Sequence, residues 1–324
     1  MAAVQNALLN GIPVVRLSHG PYEADICPGM GANCIRFAKN GLSVLRTPPD
    51  MSTFRSNPNV YGMPLLFPPN RIANGTYTFQ GRVYRLPINE PARGHHIHGF
   101  LSGTAFDVAE PSAGETEAAA LFSAAFGEAS PYHAFPHAFS VTLEYRLNAQ
   151  GLSQRLSLAN LGSTDMPTGL GFHTAFALPF VPGSLEADYR LSAKVGKEIC
   201  LNPKTILPTG EYLADGAVGS ALSNGSLCPA QGAISNHFQG LSGEIALLHL
   251  PTGAAVRYTP DPGFSFLMLW NGGGSSGFVC PEPQSWQVDA PNSPLPPDMT
   301  GFRFLAPGGE IHFISRLSID LGTF

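Results

Sequence analysis

Residues 139–151, FSVTLEYRLNAQG, decide the fold class. Phe139, Val141, Leu143, Tyr145 and Leu147 alternate with Ser140, Thr142, Glu144 and Arg146. That period of two marks a strand with one buried and one wet face. The next stretch, LSQRLSLANL, places Leu156 and Leu158 on one face and Arg155 and Ser157 on the other, so the two runs form a hairpin around a Gly-containing loop. The pattern recurs in NRIANGTYTFQGRVYRL, punctuated by Asn74-Gly75 and Gln80-Gly81, and in GFRFLAPGGEIHFISRLSI near the C-terminus. No window shows a sustained helical period with caps, and no repeat of fixed period supports a propeller or solenoid. The expectation is all-β, packed antiparallel sheets in a single domain over 1–324. The least regular stretch, residues 213–236, is expected to be a long loop at a functional rim.

Composition agrees. Charged residues make up 13% of 324, well below the roughly 25% usual for soluble proteins, while 36 Gly and 30 Pro imply frequent turns. The formal charge of −5 contains no basic run for nucleic acid or a membrane surface. The N-terminus lacks a basic and apolar leader pattern, and five cysteines without a C-x-x-C pair read as free thiols, so a cytoplasmic protein is expected.

Three motifs invite chemistry. NGGGSSG matches G-x-G-x-x-G at Gly272, Gly274 and Gly277, but the following FVCPEPQ carries two prolines that exclude the helix a dinucleotide site needs. It reads as a hairpin loop. ARGHHIHGF, residues 92–100, crowds three histidines; in extended chain His96 and His98 share a face, as in the H-x-H of cupin-type metal sites, with His133, His137 and His173 as further candidate ligands. No acid follows within the next few positions, and a polar loop without chemistry is the plainer reading. His173 in GLGFHTAFALPF and Glu282 in PEPQ are lone titratable groups in apolar settings, each open to a structural reading as a satisfied core histidine or a turn-capping carboxylate.

Taken in order, YGMPLLFPPNRIANGTYTFQGRVYRLPINE, IHGF, TDMPTGLGFHTAFAL, FVCPEPQ and GFRFLAPGGE resemble the aldose 1-epimerase (galactose mutarotase) family, and ICPGMGANCIRF near the N-terminus fits as well. The resemblance implies a large antiparallel β-sandwich of the galactose mutarotase type and an isomerase interconverting α and β anomers of a hexose such as glucose or galactose. It implies Glu282 as the base at the anomeric hydroxyl and His173 as the proton donor to the ring oxygen. Asn70, Arg71 and His98 would bind the sugar, with Trp270 or Phe172 as a candidate aromatic wall, though a core role is the plainer reading for both. Neither metal nor nucleotide cofactor is implied, and the partner is a small-molecule sugar, with a monomer or homodimer both open. A carboxylate near His173 would help hold it as imidazolium. One departure stands out: where the family has an Asp for sugar hydroxyls, ISNHFQG offers Ser235, Asn236 and His237. A hexose-phosphate mutarotase, and a non-catalytic carbohydrate-binding or regulatory protein on the same fold, are the alternatives.

Overall fold

A computed structural model describes residues 1–109, 111–127 and 134–323. Strands Phe139–Asn148 and Gly151–Asn160 pair antiparallel from Phe139↔Asn160 to Asn148↔Gly151, the expected hairpin. The alternation is realised as burial: Phe139, Val141, Leu143, Tyr145 and Leu147 are buried and their neighbours face outward. Each such side chain contributes roughly 1.5–3 kcal/mol relative to exposure. A one-residue slip would turn all five to water, so the register is strongly specified.

This hairpin lies within a nine-stranded sheet. Its path runs Asp107–Val108, Glu117–Phe126, Phe139–Asn148, Gly151–Asn160, Glu310–Asp320, Ala255–Thr259, Ser242–His249 and Tyr189–Lys194, with Ser112–Ala113 also paired to Glu117–Phe126. A second sheet of eight strands runs Pro208–Leu213, Glu198–Leu201, Ser235–Gln239, Phe266–Trp270, Phe278–Gln284, Gly171–Phe172 and Leu65–Leu66, with Phe176–Ala177 on Phe278–Gln284. A third is a five-stranded meander over residues 2–43. One buried cluster, from Val15 to Ile319, joins all three and takes Leu143 and Leu156 from the nine-stranded sheet and Leu267, Leu269 and Val279 from the eight-stranded one. The all-β expectation holds.

One expectation needs correcting. Residues 213–236 are not simply loop: Ala217–Ser223 is a short α-helix whose Leu222 enters the core, and of the whole stretch Ser235 alone lines the cavity described below. Small residues permit it, since Gly219 lies so close to Phe238 that an added Cβ would sit 3.1 Å from its ring. This helix and its companions Met51–Ser56 and Pro297–Thr300 span at most seven residues, too few to show a helical period. Among the described residues no helix is long and apolar enough to cross a membrane. NGGGSSG is indeed a hairpin loop, joining Phe266–Trp270 to Phe278–Gln284.

The prolines of FVCPEPQ do exclude a helix: they lie inside the strand Phe278–Gln284, opposite Leu269 and Leu267, so Glu282 between them caps no turn. Proline has no N–H to donate, so both nitrogens must face away from the neighbouring strand Phe266–Trp270. On their side the ladder is interrupted: Gly171 pairs with Gln284 and Phe176 with Val279, while residues 173–175 belong to no strand. That gap places His173.

Candidate active site

Glu282 sits in the middle of a strand, on the face opposite Val279 and the core, beside its cross-strand neighbour Met268. His173 comes from this segment, whose backbone keeps only the partner on its other side, continuing the pairing of Phe172 with Leu65: the His173 N–H donates to Pro64 O at 3.1 Å and the Ala175 N–H to Gly62 O at 2.8 Å. The outcome is a contact of 3.1 Å between His173 Nε2 and Glu282 Oε1, both side chains almost wholly buried. The second carboxyl oxygen of Glu282 accepts from Gln284 Nε2 at 3.2 Å, and Gln284 Oε1 receives Asn70 Nδ2 at 3.5 Å.

Asn70, Arg71 and His98 join the same place. Asn70 and His98 both hold left-handed backbone, φ 55° and 63°, and the His98 N–H donates to Asn70 O at 3.0 Å. Non-glycine residues in that region are uncommon and cluster at functional sites. Gly99 makes the turn feasible: its φ is 69°, and a Cβ there would stand 1.9 Å from Phe67 O. Gly99→Ala is therefore expected to cost about 2 kcal/mol or more and to displace His98. Thermal melting checks it, since an unchanged Tm would mean that the loop moves without cost.

The left-handed turn also undoes the H-x-H reading. The strand ends at Ile97, so His96 and His98 do not act as a same-face pair. His96 Nδ1 lies 2.8 Å from Pro87 O, and His95 Nδ1 accepts from the Asn74 N–H at 3.3 Å; both are structural. His137 meets the Tyr84 hydroxyl at 2.8 Å, away from the cavity, and His133 lies outside the described residues. A different set converges instead: among the described residues, His98, His173 and Glu282 each offer one ligand atom, all within 4.8 Å of one another, and could hold a metal ion. A tetrahedral site with bonds of about 2.0–2.1 Å wants ligand atoms nearer to about 3.3 Å apart, so this triad would have to tighten.

All five candidates line one cavity of about 440 Å³, together with Trp270, Met268, Ser235, Ile97, Ile206 and the asparagines 57, 59 and 89. That volume suits a small-molecule site. Of the two aromatic candidates, Trp270 lines the cavity and meets His173 edge-on at 5.7 Å, so it is more than a core residue, whereas Phe172 is buried against Phe264. At the departure from the family pattern, Ser235 faces the cavity, Asn236 donates to Glu198 at 2.6 Å, and His237 Nε2 accepts from the Val288 N–H.

Sequence reading missed Glu90. Its carboxylate receives Arg71 through two bonds of 2.8 Å and Arg93 through a third, fixing the Arg71 fork. Burial alone would raise Glu90, but the two guanidinium groups outweigh it and hold the carboxyl below its ordinary value. The two residues stand 19 positions apart, with the hairpin Thr76–Phe79 and Arg82–Arg85 between them, so no periodic signal marked the pair.

The acid–base pair differs electrostatically from expectation. Burial pushes Glu282 well up despite the Arg71 charge and the Gln284 bond. Burial pushes His173 down to about 4, and His98 down as well. So the carboxyl does not hold His173 as a resting imidazolium; desolvation disfavours both charges. A carboxylate with raised proton affinity is the stronger base, and an imidazolium with lowered affinity the stronger acid.

A family model described as aldose 1-epimerase matches residues 13–318. An uncharacterized protein YihR of Escherichia coli K12 is 33% identical over 162 residues, 49% of this chain and 48% of that protein, so the match spans about half of YihR's length. A second, YphB, is 23% identical over 91% of this chain and 94% of its own. Among solved structures, a galactose mutarotase-like protein from Clostridium acetobutylicum superposes with a TM-score of 0.94 at 29% identity, covering 99% of each chain. A galactose 1-epimerase from Lactobacillus acidophilus, at 14% identity and 99% coverage of both, gives 0.74 and shares the fold.

Proposed function

Because this chain belongs to the aldose 1-epimerase family, we propose that it interconverts the α and β anomers of a hexose such as glucose or galactose, without metal or nucleotide. The observation that carries this reading is the buried contact of 3.1 Å between His173 and Glu282 on the wall of a sugar-sized cavity.

The steps follow from proton affinities. Glu282 accepts the proton of the anomeric hydroxyl, O1 becomes the carbonyl oxygen as the bond from C1 to the ring oxygen breaks, and His173 donates a proton to that ring oxygen. The open-chain aldehyde rotates about C1–C2. Closure runs the roles backwards, His173 taking the proton from the C5 hydroxyl while Glu282 returns one to O1. The productive state holds one proton on the pair, and the short contact lets that proton pass between carboxyl and imidazole. Arg71, steadied by Glu90, and Asn70 and His98 orient the hydroxyls; Trp270 meets an apolar sugar face.

A hexose 6-phosphate is the second reading, and one observation favours it: Arg71 and Arg93 converge on the cavity. Glu90 binds both and cancels one of the two charges. A binding-only protein needs no acid–base pair, which weighs against it. The test is polarimetry of freshly dissolved α-glucose and α-galactose, then hexose 6-phosphates, each with and without a chelator. Faster approach to anomeric equilibrium with free hexoses, unchanged by EDTA, is expected. Activity abolished by EDTA and restored by Zn²⁺ would transfer the chemistry to a metal held by His98, His173 and Glu282. Silence with every sugar would leave binding as the better account.

A further inference from the structure

Among the described residues, nine non-glycine positions have positive φ, and five of them are Asn or Asp, which tolerate it. Ile206, at φ 56°, is the β-branched member of the set. A β-branched residue there is a genuine backbone outlier, held only when its surroundings over-determine it.

They do. Ile206 lies in the connection between strands Glu198–Leu201 and Pro208–Leu213. Its N–H donates to Asn202 O at 2.7 Å, and the Asn202 N–H returns to Leu207 O at 2.9 Å. The Asn202 side-chain oxygen accepts from the Lys204 and Thr205 N–H groups, at 2.9 and 3.2 Å. This closed turn fixes a backbone that an isoleucine disfavours.

Position supplies the second observation. Three of the nine positive-φ residues line the cavity: Asn70, His98 and Ile206. Ile206 lines it near Ser235, whose strand Ser235–Gln239 pairs with Glu198–Leu201. Asn236, the next residue, is committed to Glu198 at 2.6 Å. Of these residues Ser235 and Ile206 line the cavity and Asn236 does not.

We propose that Ile206 is a substrate-binding residue: the closed turn holds its side chain at the cavity, where it makes an apolar contact that seats the sugar. This rests on the mutarotase reading above. The contact is equal in the ground and transition states, so it acts on KM more than on kcat.

Two substitutions separate this role from a structural one. Ile206→Gly and Ile206→Asn both suit a left-handed backbone and both remove the apolar wall. Each is expected to raise KM for the better hexose about tenfold, equivalent to 1.4 kcal/mol, with kcat changing less than KM. Hexose affinity by calorimetry should weaken in parallel, and Tm should hold or rise by a few degrees as strain is released. Ile206→Val should restore KM. A KM within about twofold of wild type in both variants would remove Ile206 from recognition. A fall of several degrees in Tm for Ile206→Gly would overturn the strain argument. Should wild type neither turn over nor bind any hexose, the mutarotase reading falls and takes this one with it, an outcome distinct from active variants with unaltered KM.

Discussion

Glu282→Gln is expected to lower kcat/KM by about 10³-fold while sugar binding stays measurable, because a positioned general base is worth roughly 10²–10⁴. The amide matches the carboxyl in shape but accepts no proton. Its neighbours need not move: Gln284 still finds an oxygen acceptor, and the site loses a carboxyl whose charged form burial disfavours. Tm should therefore change little. The pH profile of wild-type kcat/KM should be a broad bell, since the productive pair holds a single proton. At low pH, below about 4, both groups are protonated and no base remains. On the alkaline side, above the raised value of Glu282, both are deprotonated and no acid remains. In Glu282→Gln one limb should vanish with the rate. Polarimetry across pH checks both parts, and full activity in the variant would take Glu282 out of the base role.

His173→Asn should cost about 10²- to 10³-fold in kcat, through loss of the donor at the ring oxygen. It should also carry a stability cost that Glu282→Gln lacks. Glu282 Oε1 would lose its 3.1 Å partner while remaining buried, a change of about 1–3 kcal/mol. Polarimetry paired with thermal melting reads both. The control is His98→Asn, expected to act mainly on KM; if that variant instead loses kcat and His173→Asn keeps it, the ring-oxygen proton comes from His98.

The fold was legible where one face of a strand is buried and the other wet. Phe139 to Leu147 show the alternation openly because outward positions are polar, and the structure pairs them in the expected hairpin. The short helix over Ala217–Ser223 was hidden, since two turns of small residues carry no periodic signal. At the site, Glu282 stood out as an acid held between prolines, but its contact with His173, more than a hundred positions away, depends on sheet pairing across Gly171↔Gln284. The expectation of a charged His173 failed because a sequence shows the neighbour but not the burial around both. Trp270 and Phe172 looked equivalent as aromatic walls; the pleat sends one to the cavity and the other to the core. Glu90 was unreadable for a related reason: it returns to Arg71 only after the intervening hairpin Thr76–Phe79 and Arg82–Arg85 has folded back.

The place of Glu310–Asp320 has a consequence in time. This strand lies between Gly151–Asn160 and Ala255–Thr259, so it closes a sheet whose two halves were made long before it. During synthesis the flanks 107–160 and 189–259 emerge first, each ending in an unpaired strand edge. Until residue 320 has left the ribosome they have only each other, or another nascent chain, to pair with. Pairing across about 160 residues carries a large loop-closure entropy, which makes such topologies slow to form and exposed to aggregation meanwhile. The yield of soluble protein should thus respond to translation rate and temperature through its last strand, however stable the finished sheet.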